Sequence, residues 1–211
     1  MYHYLNQQNN KEVPHMEIVQ PIRDINQIRK IESILQSQSP RDYLLFVLGI
    51  NSGLRISDIL KLKAGDLRNQ THFIIRMQKT GKPLKIKIQP TLLKEINNYI
   101  KDKSDDEFLF KSQKGDNQPI QRIHAWRILN NAANKVGIKG EIGTHSLRKT
   151  FGYFMYEYCG KDITIVQKLL GHTSPQHTLR YIGILQDDLD EIIDNFDYNK
   201  IESKSSWSML S

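Results

Sequence analysis

The sequence predicts a mainly α fold with a small antiparallel β-sheet (α+β). Three observations carry this reading. Apolar residues recur at helical spacing through most of the 211 residues. Ser, Asp and Thr stand as caps where those runs begin. One interval, near residues 72–88, switches to alternation with period two.

Residues 1–20 are polar and irregular around Gln7-Gln8-Asn9-Asn10-Lys11, and read as a flexible arm or linker. Asp24 is the expected cap of a helix whose buried face is Ile25, Ile28, Ile31, Ile34 and Leu35. Ser39 and Pro40 open a second helix. Its run from Tyr43 to Ile50 is apolar nearly all round, which predicts a central core helix. Gly53 is its expected left-handed stop. Arg55 follows, then a short amphipathic helix through Ile56, Ile59, Leu60 and Leu62. Arg55 and Asp58 are three apart, so Asp58 can hold the guanidinium or form an ordinary surface pair.

The runs 72–77 and 84–88 read as strands joined by a turn over 78–83. Leu84, Ile86 and Ile88 alternate with Lys85 and Lys87, giving one buried face and one basic face. The basic face is either a solvated edge that blocks aggregation or a surface for a polyanion. Helical pattern returns over 91–100, followed by a short extended run 107–110 and a polar loop 111–118. A helix over 120–136 carries Gln121, Arg122, His124, Trp126 and Arg127. On pattern alone this is an ordinary amphipathic helix with Trp126 in the core, a reading that stands level with one in which the helix faces a polyanion.

Thr144 is the expected cap of a helix with the apolar face Leu147, Phe151, Phe154, Met155 and Tyr158. Tyr153, Tyr156 and Tyr158 read as core tyrosines. His145 and Arg148 then share one side near the helix start, where free N–H groups suit a phosphate. Asp162 caps the run 163–170, and Gly171 stops it, placing His172 on a turn. Ser174 and Pro175 open the helix bearing Tyr181. An acidic amphipathic helix is expected over about 187–197, and a Ser-rich disordered tail over 199–211.

Net charge is +7, which favours a polyanionic partner, most simply nucleic acid. The single cysteine, Cys159, excludes an internal disulfide, fits a reducing cytoplasm and reads as a small buried hydrophobe. No stretch approaches the roughly 18 apolar residues of a membrane span. His145, His172 and Cys159 could be set against zinc, but their spacing matches no common zinc pattern. There is no P-loop and no H-E-x-x-H, so the sequence suggests neither ATP nor metal.

The ordered set H-x-x-R at 145–148, L-L-G-H at 169–172 and Tyr181 nine residues beyond His172 resembles the tyrosine site-specific recombinases, the phage-integrase family. Gly53-Leu54-Arg55-Ile56-Ser57-Asp58 is similar to that family's first arginine box, and Lys79-Thr80-Gly81 to its hairpin lysine. The resemblance spans roughly residues 21–197. It implies the tyrosine recombinase catalytic-core fold over residues 21–198. Twenty residues cannot hold the family's core-binding domain. The chain therefore resembles either a naturally short member or a catalytic fragment.

The resemblance also implies cleavage and rejoining of DNA through a covalent 3′-phosphotyrosyl intermediate, without cofactor. Tyr181 would be the nucleophile. Arg55 and Arg148 would bind the non-bridging oxygens, as planar, permanently charged forks suit them. His145 would assist proton removal, Lys79 would protonate the leaving 5′-oxygen, and His172 would hydrogen-bond a non-bridging oxygen. Lys82, Lys85, Lys87, Arg122 and Arg127 would touch the DNA backbone. The implied partners are double-stranded DNA, further copies forming a tetramer on paired sites, and accessory DNA-bending proteins. The 187–197 helix would dock on a neighbouring protomer or on its own domain. The setting would be cytoplasmic, in a bacterial or phage-encoded mobile element. Two rival readings are a regulator that keeps the fold without strand exchange, and a nicking-closing enzyme of the topoisomerase IB type.

Overall fold

The computed structural model describes residues 19–76, 81, 83–140, 142–184 and 193–197. Asp24 caps α1 (Ile25–Gln38) by accepting from the Asn26 amide at 2.7 Å. Ser39 caps α2 (Pro40–Ser52) by accepting from the Asp42 amide, with Pro40 in the first turn. Its missing N–H is harmless there. Then come α3 (Ile56–Ile59), α4 (Ala64–Leu67), β1 (His72–Arg76) and β2 (Pro83–Lys87). The remaining elements are α5 (Pro90–Ile100), α6 (Arg122–Lys135), α7 (Ser146–Tyr158), α8 (Ile163–Leu170) and α9 (Pro175–Ile182).

Helix α2 is the axis, as its apolar composition predicts. Leu44, Leu45, Phe46 and Leu48 are fully buried, and α1, α5 and α7 pack around the helix. β1 and β2 pair antiparallel with Phe73 opposite Ile86; both point into the core, while Lys85 and Lys87 are exposed. A second, smaller cluster of Phe151, Tyr156, Val166, Leu170 and Ile182 joins α7, α8 and α9. Among the described residues the fold is thus mostly helical with one small two-stranded sheet, as the sequence predicts.

Several particulars differ from the sequence reading. Ile25 is 51 % exposed, because it sits in the first turn of α1, outside the face that meets α2. Tyr158 is 86 % exposed in the last turn of α7; of the three expected core tyrosines, Tyr156 alone is buried. Thr144 does not cap α7. His145 occupies that position without a side-chain bond, and the Thr144 hydroxyl instead accepts from Arg122 Nε at 3.1 Å. Ile120 precedes α6 and is buried, while Trp126 is half-buried and Cys159 ends α7 half-buried. The expected helix over 187–197 and the segments 1–18 and 199–211 fall largely or wholly outside the described residues.

Candidate active site

The site begins where α7 crosses α2. Gly49 faces Leu147 so closely that a Cβ there would overlap its side chain. Gly53 lies under Phe151, where a Cβ would meet the ring at 2.5 Å, and its φ of 64° turns the chain out of α2. Arg55 therefore emerges at the start of α3, and Arg148 is brought across to it.

Arg148 is 5 % exposed. Its Nη1 donates to the carbonyl of Gly53 and its Nη2 to the carbonyl of Leu170. Leu170 is the last residue of α8, so its carbonyl lacks an intrahelical donor and lies at the negative end of the helix. Burial pulls the guanidinium below its ordinary value; Tyr181 acts against this, Arg55 with it, and Asp58 against it. An arginine so held keeps its charge and still has N–H groups free for an anion.

Gly171, at φ 61°, ends α8 and places His172 on the following turn, as expected. His172 Nδ1 lies 3.2 Å from Thr178 Oγ1, and that hydroxyl donates to the Ser174 carbonyl at 2.7 Å. A hydroxyl has one proton, already given to Ser174, so it accepts from Nδ1–H. The neutral imidazole therefore carries its lone pair on Nε2. Burial first, then the charges of Arg148, His177 and Arg55, push His172 down to about 4.

Tyr181 lies on α9, whose start is capped by Ser174. Its hydroxyl is buried and makes no hydrogen bond of good geometry to any described residue. The Arg148 guanidinium is nevertheless close enough to act on it. Burial raises the phenol, and Arg148 and Arg55 pull it back. The ring meets His172 edge-on at 4.9 Å and lies nearly parallel to His177 at 6.4 Å. Lys149 Nζ lies over it, 5.3 Å from the centroid.

His145 is open to solvent at the start of α7. Partial desolvation of its ring pushes it below its ordinary value, helped by Arg122, Arg148, Lys149 and Arg55. It is thus unprotonated at neutral pH and able to accept a proton.

The structure thus brings Arg55, His145, Arg148, His172 and Tyr181 into one electrostatic neighbourhood. Among the described residues no ion pair or hydrogen bond joins Arg55 to Asp58; the Asp58 carboxylate acts on Arg148 instead. Lys79 and Lys82 lie outside the described residues. Lys85 and Lys87 line the outer face of β2. Arg122 and Arg127 are exposed on α6; Arg127 borders a groove of about 810 Å³ with Lys114 and His124. Sequence reasoning passed over Lys149, Thr178 and His177. The Thr-Ser-Pro-Gln-His-Thr run after His172 offers the signal for His177, since i, i+4 on α9 puts it beside Tyr181. Among the described residues no three His, Cys, Asp or Glu side chains converge to hold a metal, and no helix is long and apolar enough to cross a membrane.

Comparison with known proteins bears on what this arrangement does. The family model described as "Phage integrase family" matches residues 22–204. The chain is 49% identical over 172 residues to the probable integrase/recombinase YoeC of Bacillus subtilis (strain 168), covering 82% of this chain and 93% of that protein. It is 34% identical over 171 residues to tyrosine recombinase XerA of Pyrococcus furiosus, covering 80% of this chain and 59% of that protein. It thus spans a little over half the length of that second relative. A crystal structure of XerA recombinase superposes with a TM-score of 0.67 at 20% identity, over 88% of this chain and 68% of that one. At that identity the likeness speaks for the fold alone.

Proposed function

This chain belongs to the phage integrase family, and from that premise we propose that it cleaves and rejoins DNA strands through a covalent link between Tyr181 and a 3′-phosphate. The observation that carries the reading is the Tyr181 hydroxyl, buried, without a hydrogen bond of good geometry among the described residues, and under the influence of the anchored guanidinium of Arg148. A buried polar group left unpaired is costly, and a DNA phosphate on Arg148 would give it an electrophile to meet.

The step proceeds as follows. The Tyr181 Oη proton passes to His145, which partial burial and then the surrounding cations keep neutral beforehand. An Oη–P bond forms and the P–O5′ bond breaks. The leaving 5′-oxygen takes a proton, for which Lys79 is the proposed donor. Charge growing on the non-bridging oxygens is met by Arg55 and Arg148, and His172 adds a donor once protonated at Nε2. The phosphotyrosyl bond conserves the energy of the broken bond. Rejoining is the reverse, so no ATP is consumed.

Residues 21–198 are the proposed catalytic domain, with Lys82, Lys85, Lys87, Arg122 and Arg127 on the duplex backbone. Each chain offers one nucleophile, and exchange between two duplexes breaks four strands. A tetramer of this chain on paired sites is therefore the proposed working assembly.

Covalent trapping tests this. The protein is incubated with fragmented DNA of the source organism in EDTA without ATP, and stopped with SDS. The reading requires protein–DNA adducts in the wild type and none in Tyr181→Phe. DNA binding without adducts in both would favour a regulator that occupies sites. Adducts accompanied by relaxation of supercoils, without recombinants, would favour a nicking-closing enzyme.

A further inference from the structure

We propose that Lys149 is a positioning residue for Tyr181: its ammonium group lies on the face of the phenol ring and holds that ring with the hydroxyl turned toward Arg148. This deepens the strand-cleavage reading and rests on it. Lys149 is 4 % exposed in the first turn of α7, directly after Arg148. Lysine is almost never buried to this degree unless it is paired. Among the described residues, Lys149 makes no hydrogen bond through its side chain and no ion pair. What its ammonium faces is the Tyr181 ring, with Nζ 5.3 Å from the centroid. Burial pushes the ammonium below its ordinary value, so keeping it there works against the fold unless the ring contact returns something.

That return is a positive charge set against the ring itself. Arg148 and Arg55 act on the Tyr181 hydroxyl, while His172 and His177 flank the ring. A cation over an aromatic face is drawn by the ring's electron density. That density rises when the phenol gives up its proton, so the attraction is stronger for the phenolate than for the phenol. Lys149 thus favours the attacking form while fixing the ring. The same charge also acts on His145 and helps keep it ready to receive the proton. A lysine serving packing alone would do neither.

The test reads titration without DNA. The full chain is labelled with ¹³Cζ-tyrosine and ¹⁵N-histidine, and the signals are assigned with Tyr181→Phe and His145→Asn. Wild type, Lys149→Met and Lys149→Arg are titrated by NMR. The proposal requires the Tyr181 and His145 midpoints to move upward in Lys149→Met and to return toward wild type in Lys149→Arg. Midpoints unchanged in Lys149→Met overturn it. Should Lys149→Met fail to fold, Lys149→Gln serves the same comparison. In the trapping assay, Lys149→Met should form adducts about tenfold more slowly at neutral pH, with the deficit shrinking as pH rises. A deficit of the same size at every pH would mark a packing role and overturn the proposal. A wild type that forms no adducts would defeat the strand-cleavage reading, while the titrations would still decide the role of Lys149.

Discussion

The guanidinium of Arg148 donates to the carbonyl of Leu170, joining the first turn of α7 to the last residue of α8. A second donation, to Gly53, ties the same side chain to the end of α2. One residue thereby fixes three helix ends around the place where Arg55, His172 and Tyr181 meet. Arg148→Ala should leave both buried carbonyls unpaired and lower stability by about 1–3 kcal/mol per lost bond. Urea unfolding measures this. Arg148→Lys keeps a charge but cannot fork between two carbonyls and a phosphate. It should lower adduct formation on the order of 10²–10³-fold, as loss of a transition-state donor does.

Thr178 sets which nitrogen of His172 bears the proton. Thr178→Val keeps the shape and removes the acceptor. The ¹⁵N shifts of His172 should then show Nδ1–H no longer dominant, and stability should fall by about 1 kcal/mol. An unchanged tautomer would show that the ring is held by other means.

Gly152 lies on α7 where α9 passes, and a Cβ there would come within 2.7 Å of Ile182 Cγ2. Gly152→Ala must push α9 aside, and Tyr181 with it. Overpacking of this kind costs about 1–3 kcal/mol. The larger effect should be on adduct rate, measured at a temperature where the variant is still folded. A fully active Gly152→Ala would show that α9 tolerates the shift.

His172 titrates near 4 in the fold, against an ordinary value of 6.5. The unfolded chain therefore binds more protons between these values, and stability rises with pH across that window. Stability should be full above about pH 6.5 and decline as pH falls toward 4. His145, lowered in the same direction, adds to the slope. His172→Asn should flatten the decline, read as melting temperature against pH. A bound phosphate should draw His172 back up, so DNA binding should take up a proton that His172→Asn does not.

Much of this was legible in the sequence for local reasons. Asp24, Ser39, Asp162 and Ser174 cap the helices they were expected to cap, because a short acceptor before an apolar run has one natural use. Gly53 and Gly171 stop their helices in the left-handed conformation and so aim Arg55 and His172. What failed was decided at a distance. The spacing that buries Leu147 and Phe151 continues to Tyr158, but no described element covers the last turn of α7. Thr144 looks like a cap until Arg122, 22 residues earlier in the chain, takes its hydroxyl. Arg55 and Asp58 have the spacing of a pair, yet Asp58 acts on Arg148, which only the tertiary fold brings near. Lys149 carries no mark in the sequence because nothing local says that Tyr181 lies across it.

In the proposed chemistry Tyr181 attacks a DNA phosphate and keeps the 3′ end. Trapped adducts should be digested with protease and nuclease and sequenced by mass spectrometry, and their free DNA ends labelled with polynucleotide kinase. Attack by Tyr181 should leave a nucleotide on the peptide containing Tyr181, and 5′-hydroxyl ends that accept label without phosphatase treatment. A nucleotide on any other residue, or adducts joined through the 5′ end, would contradict it.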